Sequence, residues 1–235
     1  MPVVITAQAT IEIGAAEPVQ GNAPECDLAA VFEDDGDTGY FYADGGAMFG
    51  AIPKSAWSRR YPSDETNGCV LAMRSLVIKT DDGRIVLVDN GAGNKHLKQL
   101  SYYRFFNLVD LGTELRNRGI QPEEITDVVL THLHFDHCGY TTQKDESTGH
   151  LFLSFPNANH WVSRKQWENF LHPNALERDS YFIENMQAVA DANSLRLLDA
   201  DTSICPTIEL RLYDGHTPGQ IVPYIHTEDR TFVFA

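Results

Sequence analysis

Three histidines and one aspartate lie close together in the middle of the chain, at His132, His134, Asp136 and His137. Imidazole nitrogens and carboxylate oxygens are the ligands that zinc and similar divalent ions take in proteins. The preceding residues, 126–133, are mostly apolar and predict a buried strand, so His132 and His134 project from the same face at its end. In the following turn, Asp136 and His137 can swing toward a neighbouring position. The spacing predicts metal chemistry at a strand end that could serve two adjacent ions.

A metal site also needs ligands from elsewhere, and His216 is a candidate. It lies in the segment Asp-Gly-His-Thr-Pro-Gly, residues 214–219. Gly and Pro favour a rigid turn, which would present the imidazole in a fixed direction between two predicted strands. The remaining histidine candidates have no spaced partner and are predicted to be surface or core residues; they are His96, His150, His160 and His172.

Hydrophobic periodicity and turn chemistry predict the elements that carry these residues. Strands are predicted at residues 3–13, 69–79, 84–88, 126–133, 208–213, 220–226 and 231–234, with an Asp-Gly turn joining the second and third. Helices are predicted at residues 103–118, 163–171 and 181–192. Residues 14–39 have no clear period and are predicted to be a loop or poorly ordered leader. We divide the chain into an acidic leader of uncertain order, residues 1–37, and one domain, residues 38–235.

The histidine motif, followed later by Gly-His-Thr-Pro-Gly, resembles the metallo-β-lactamase superfamily of metal-dependent hydrolases. More narrowly, residues 44–57 and 170–181 resemble the branch that contains quorum-quenching lactonases and enzymes like methyl-parathion hydrolase. The resemblance covers about residues 38–235. It implies an α/β (α+β) fold, the αββα sandwich, with the metals at one edge of two sheets.

The resemblance also implies a ligand set. His132, His134 and His216 would bind a first metal, and Asp136 and His137 a second. Zinc is the expected ion, at one or two per chain, with other divalent metals open. Such an ion lowers the pKa of a bound water toward about 7, so that hydroxide forms at neutral pH. Asp136 would both bind the metal and orient that hydroxide, which makes it the predicted catalytic residue.

Asp89 is a further candidate, directly after the apolar run that ends at Val88. It matches the Asp-x-Gly position of the family, where the carboxylate would hold a histidine tautomer from behind the metal ligands. A simple turn cap is the alternative interpretation.

The end of the sequence departs from the family pattern. In the family, a strand like residues 231–235 is followed by an Asp that bridges both metals, and later by a further His; this sequence stops before both. Asp214 and His226 are poor substitutes, because Asp214 precedes the His216 turn and His226 lies within a predicted strand on the other side of it. We therefore expect a domain that lacks its C-terminal portion and holds its second metal weakly.

Composition limits the partners. The 235 residues include 33 acidic and 18 basic side chains, a formal net charge of −15, and no Lys or Arg precedes Lys54. This charge repels phosphate backbones and disfavours nucleic acid. No apolar run reaches the roughly 18 residues of a membrane helix, and four separated cysteines fit reduced thiols in a cytoplasmic protein. We predict a small-molecule substrate and no nucleic-acid or membrane partner, and a homodimer is possible.

These observations lead to a functional hypothesis. The leading interpretation is a hydrolase that uses a metal-bound hydroxide on a small neutral ester, above all a lactone such as an N-acyl-homoserine lactone. A phosphotriester or aryl-ester hydrolase of the same fold is the alternative. A non-catalytic metal-binding module is an alternative of another class. An oxygen-reducing di-iron relative is disfavoured, because it usually carries a carboxylate where this chain has His134.

Overall fold

The computed structural model describes residues 10–13, 26–30, 37–227 and 230–235, and side chains from residue 37 onward. These residues form strands, short α-helices and 3₁₀ turns. The strands are β1 (Thr10–Ile13), β2 (Cys26–Ala30), β3 (Asp37–Asp44), β4 (Gly68–Arg74), β5 (Leu76–Thr80), β6 (Ile85–Val88), β7 (Asp127–Val129), β8 (Thr142–Lys144), β9 (Leu151–Leu153), β10 (Asn159–Ser163), β11 (Leu195–Leu198), β12 (Thr202–Cys205), β13 (Ile208–Tyr213), β14 (Gln220–His226) and β15 (Thr231–Phe234). The α-helices are α1 (Gly45–Phe49), α2 (Lys54–Trp57), α3 (Leu111–Asn117), α4 (Phe135–Cys138), α5 (Arg164–Leu171) and α6 (Gln187–Asp191). The 3₁₀ turns are Ser101–Tyr103, Pro122–Glu124, Arg178–Ser180 and Ile183–Asn185.

Two larger sheets organise the molecule. One has five antiparallel strands in the order β1-β15-β14-β13-β12. The other has six strands in the order β11-β10-β7-β6-β5-β2. In this second sheet β6, β7, β10 and β11 are parallel to one another, whereas β2 and β5 are antiparallel additions. Parallel strands end at the same edge of a sheet, so the segments that follow β6 and β7 lie side by side.

Alternating side chains pack both faces of the six-stranded sheet. Val77 and Leu87 point toward α3, α5 and α6 and join one buried cluster. Their neighbours Ile78 and Val88 point the other way and pack against the five-stranded sheet. Each fully buried aliphatic side chain contributes about 1.5–3 kcal/mol. A register slip of one residue would exchange the two faces, so this packing fixes the register and, with it, the sheet edge that carries the site.

Several local predictions are confirmed. The hairpin of β5 and β6, the final three strands, and the strand character of residues 10–13 are present, while residues 3–9 lie outside the described part of the chain. Ser163 caps α5 by accepting a hydrogen bond from the Gln166 backbone N–H. No helix in the described residues is long and apolar enough to cross a membrane.

The predicted helix over residues 103–118 is wrong in its first half. Its helical part is Leu111–Asn117, capped by Asp110, whose side chain accepts from the Thr113 backbone N–H. Before that cap the chain pairs with β3 instead, through two backbone hydrogen bonds between Tyr40 and Phe106, whose rings stack 5.3 Å apart. This tertiary pairing outweighs the local helical pattern.

Other predicted boundaries also move. The loop predicted over residues 14–39 is wrong at β2, which adds to the edge of β5, and at the start of β3. The helix predicted over residues 181–192 is shorter, a 3₁₀ turn followed by α6. The strand predicted over residues 126–133 forms ladder pairs at Asp127–Val129, after which the chain turns toward the site.

Candidate metal centre

The segment after β7 is hydrogen-bonded to strands of both larger sheets. The Leu130 backbone N–H donates to the Trp161 carbonyl in β10, at 3.1 Å, and the Ile221 backbone N–H in β14 donates to the Thr131 carbonyl, at 2.8 Å. The second bond attaches the start of β14 to the histidine segment. As a result the turn between β13 and β14, which carries His216, lies directly beside His132 and His134.

His132, His134 and His216 form a compact donor set. One nitrogen from each lies within 4.8 Å of the others, and His134 Nδ1 is 3.1 Å from His216 Nε2. Two nitrogens bound to one tetrahedral zinc at 2.0–2.1 Å would be separated by about 3.4 Å. His132 Nε2 is buried without a hydrogen-bond partner among the described residues. The three residues therefore fit a divalent ion, and the predicted meeting of His216 with the motif is realised in space.

The environment keeps these imidazoles neutral. Burial lowers the pKa of His132 well below its usual range, and neighbouring histidines lower it further. Burial likewise lowers the pKa of His134 to about 4, against the opposing Asp136 charge. The pKa of His216 is lowered by burial and by His137. A neutral imidazole keeps the free lone pair that a metal requires.

Asp136 and His137 adjoin this set but are not part of it. His137 Nε2 lies 3.3 Å from Asp136 Oδ2, and the His137 ring centre is 3.9 Å from that of His132. Burial opposes the charge of both groups, yet their mutual attraction prevails. It lowers the pKa of Asp136 to about 2 and, together with Asp89, raises the pKa of His137 to about 10.

Asp89 holds two parts of the motif from behind. Its fully buried carboxylate accepts hydrogen bonds from the Thr131 backbone N–H at 2.8 Å and the Thr131 hydroxyl at 2.7 Å. Asp89 Oδ2 is also 2.8 Å from His137 Nδ1, and Thr131 Oγ1 is 3.1 Å from His132 Nδ1. These contacts go beyond those of a turn cap, because the carboxylate reaches the segment that follows β7.

Glu177 lies in the segment 170–181 that carries the family resemblance, but the sequence did not predict it as a site residue. Its Oε2 lies 3.9 Å from His134 Nε2. Burial raises the pKa of Glu177, but hydrogen bonds from Tyr181, Asn174, Asn169 and Thr217 outweigh this and lower it to about 2. No ligand spacing connects this residue with the histidine motif, since it reaches the site from the loop after α5.

A cavity of about 640 Å³ is lined by Tyr181 but by none of the three histidines. Tyr181 connects the two, because it lines the cavity and its ring centre is 5.0 Å from that of His134. Phe170, Phe182 and Ile183 supply apolar lining. The cavity therefore offers a partly apolar recess that Tyr181 separates from His134.

The remaining candidates lie apart from the donor set. Asp214 is exposed and forms an ion pair with Lys165, and His226 lies at the opposite end of β14, beside Glu209 and Thr231. His96 stacks on Phe182. Cys138 is buried, which raises the pKa of its thiol to about 12, as expected for an inert small side chain.

Comparison with known proteins agrees with this architecture. Residues 74–143 match the family model of the metallo-beta-lactamase superfamily. Residues 11–50 match a second model, described as an uncharacterized protein conserved in bacteria. The crystal structure of a probable metal-dependent hydrolase from Staphylococcus aureus is similar, with a TM-score of 0.75 and 29% identity, over 88% of this chain and 71% of that one. The chain is therefore similar to the metallo-β-lactamase superfamily in sequence over residues 74–143 and in fold over most of its length, and the predicted sandwich fold is confirmed.

Lactonases are among the similar proteins. The N-acyl homoserine lactonase AiiA of Bacillus thuringiensis subsp. kurstaki is 27% identical over 114 residues, which is 48% of this chain and 38% of that protein. The matched segment thus spans well under half of that relative. AidC, a dizinc quorum-quenching lactonase, shares the fold with a TM-score of 0.60 and 20% identity, over 95% of this chain and 72% of that one.

Proposed function

We propose that this protein is a metal-dependent hydrolase that cleaves a small neutral ester. The observation that carries the proposal is the compact set of His132, His134 and His216, in which the first two residues are buried, His216 is exposed, and the pKa of each imidazole is lowered. Three imidazoles leave one position of a tetrahedral ion open, as in catalytic rather than structural zinc sites. Zinc is the proposed ion, since it suits imidazole ligands and since AidC, which shares the fold, is a dizinc enzyme.

The residues around the set have separate proposed roles. When bound, the ion would acidify a water molecule and polarise the scissile carbonyl. Asp136 stays ionised at neutral pH, so its carboxylate can accept a hydrogen bond from the attacking water and hold that water in line. Asp136 and His137 are also the proposed ligands of a second ion, whose binding would have to displace a proton from His137. Asp89 fixes His137 and, through Thr131, the ring of His132.

A lactone is the proposed substrate class. The curated relative AiiA is an N-acyl homoserine lactonase, and the cavity beside Tyr181 could receive an apolar acyl group. The net charge of −15 disfavours anionic substrates such as phosphodiesters. Phosphotriesters and aryl esters are neutral as well and are the competing substrates of the same site.

The test combines metal content with a substrate panel. We expect zinc-loaded protein to hydrolyse an N-acyl-homoserine lactone or an aryl ester faster than a phosphodiester or a β-lactam. His132→Ala should lose most bound zinc and at least about 100-fold in rate, because it removes an imidazole that no neighbour replaces. His150→Ala is the matched control, since His150 is exposed and outside the donor set.

Each outcome has a distinct meaning. Unchanged zinc in dialysed His132→Ala would overturn the site. Fastest cleavage of a phosphodiester would overturn the substrate class, and fastest cleavage of a phosphotriester would favour the competing substrate. Zinc binding without hydrolysis of any ester would indicate a non-catalytic metal-binding module.

A further inference from the structure

A carboxylate faces the back of one imidazole of the donor set. His134 approaches His216 with Nδ1, at 3.1 Å from Nε2 of His216. Its other ring nitrogen, Nε2, is buried and has no hydrogen-bond partner among the described residues. The carboxylate oxygen Oε2 of Glu177 lies 3.9 Å from this nitrogen. A movement of about 1 Å would bring the pair to hydrogen-bond distance.

The chemistry of imidazole gives this arrangement a consequence. A neutral imidazole carries one N–H, and the nitrogen that binds a metal must be bare. If His134 presents Nδ1 to the ion, its proton resides on Nε2 and needs an acceptor. Metal-binding histidines usually donate this second N–H to a carboxylate, a carbonyl or water.

We propose that Glu177 is a positioning residue for the metal site, which accepts the Nε2–H of His134 and so holds Nδ1 toward the ion. The inference rests on the proposed function, because it assumes a divalent ion between His132, His134 and His216. It extends that proposal by adding a residue from the loop after α5 to the support of the ligands.

The surroundings of Glu177 suit this role. Its Oε2 accepts hydrogen bonds from Asn169 Nδ2 at 2.8 Å, the Tyr181 hydroxyl at 2.8 Å and the Thr217 hydroxyl at 2.9 Å. Its Oε1 accepts from Asn174 Nδ2 at 2.8 Å. Four donors around one carboxylate hold it in place as an anion. The carboxylate is therefore fixed before any ion binds.

A purely structural role is the competing explanation. Thr217 directly follows His216, so Glu177 could act only by tying the turn to α5. The two roles predict different effects of substitutions on metal affinity. A structural role predicts that any loss in this network weakens binding, whereas a positioning role predicts that the carboxylate matters more than its donors.

The experiment is a titration of metal-free protein with Co²⁺, followed by visible absorption, for four forms. These are wild type, Glu177→Gln, Asn174→Ala and Glu168→Gln. Asn174→Ala leaves the carboxylate but removes its donor to Oε1 and the acceptor of the Leu176 and Glu177 backbone N–H groups. Glu168→Gln removes the same charge from an exposed position on α5. We expect Glu177→Gln to raise the Kd for Co²⁺ by about 10- to 100-fold and to change the absorption spectrum. The other two should stay within about fivefold of wild type.

The outcomes separate the two proposals. An unchanged Kd for Glu177→Gln, with wild type binding Co²⁺, would overturn this inference alone, as would an equal loss in Asn174→Ala. Failure of wild type to bind Co²⁺ would overturn the proposed function and this inference with it. Should Glu177→Gln not fold, Glu177→Asp keeps the charge but withdraws it by one methylene, and it should raise the Kd in the same direction.

Discussion

Asp89 connects two residues of the candidate site from a fully buried position. Its two oxygens satisfy the Thr131 backbone N–H, the Thr131 hydroxyl and one nitrogen of His137. An asparagine has a single acceptor oxygen and would place an N–H₂ group against one of these donors. We therefore predict that Asp89→Asn lowers metal affinity by about 10- to 100-fold and destabilises the protein by about 3 kcal/mol.

Asp127 offers a matched control for this prediction. It is as buried as Asp89 but lies at the start of β7, at the end away from the histidine segment, where it contacts Arg84 and Trp161. Asp127→Asn should destabilise the protein to a similar extent in urea unfolding, yet leave the Kd for Zn²⁺ unchanged. Equal metal affinity in Asp89→Asn and Asp127→Asn would remove Asp89 from the support of the site.

At the scale of elements, the end of α4 is fixed by a close approach of two backbone segments. A Cβ at Gly139 would lie 2.0 Å from the Ala92 carbonyl oxygen, and this contact is with backbone that cannot rotate away. The Gly139 backbone N–H also donates to the Gly91 carbonyl at 2.7 Å. The loop after β6 and the helix that carries Asp136 and His137 are thereby held together.

Gly139→Ala should separate these two segments. We expect a destabilisation of about 2–3 kcal/mol, which corresponds to a fall in Tm of about 5–10 °C for a chain of this length. Gly215→Ala is the control, because a Cβ there meets no atom within 4 Å. The measurement is differential scanning calorimetry of both metal-free variants. An unchanged Tm for Gly139→Ala would show that the backbone segments at Gly139 and Ala92 can separate without loss of stability.

At the scale of the whole molecule, buried histidines make stability depend on pH. His160 in β10 is fully buried, and burial lowers its pKa to about 4, although the Ala158 backbone opposes part of this effect. The folded pKa lies below the ordinary value of 6.5, so the unfolded chain takes up a proton first as the pH falls. Stability is therefore lost between about pH 6.5 and pH 4.

His160→Leu should reduce this acid sensitivity. Between pH 7 and pH 4.5 the variant should lose about 2 kcal/mol less unfolding free energy than wild type. Urea unfolding of metal-free protein at the two pH values measures the difference. His150→Leu should behave like wild type, because His150 is exposed. Identical pH dependence in wild type and His160→Leu would mean that protonation of His160 does not lower the unfolding free energy.

The features that depend on neighbouring residues could be predicted from the sequence. These local features are the histidine motif, the Gly-His-Thr-Pro-Gly turn, the β5–β6 hairpin and the last three strands. Each depends on the types and spacing of residues that are close together in the sequence. Resemblance then led from these motifs to the sandwich fold.

Contacts between residues that are distant in the sequence could not be predicted and became visible in the folded protein. In the folded protein Glu177 lies behind His134, and the Asp89 carboxylate contacts Thr131 and His137. Phe106 pairs with Tyr40 instead of forming part of the predicted helix. His134 also approaches His216 with Nδ1. These contacts join residues distant in sequence, and their strength comes from burial and geometry that exist only once the two sheets have packed.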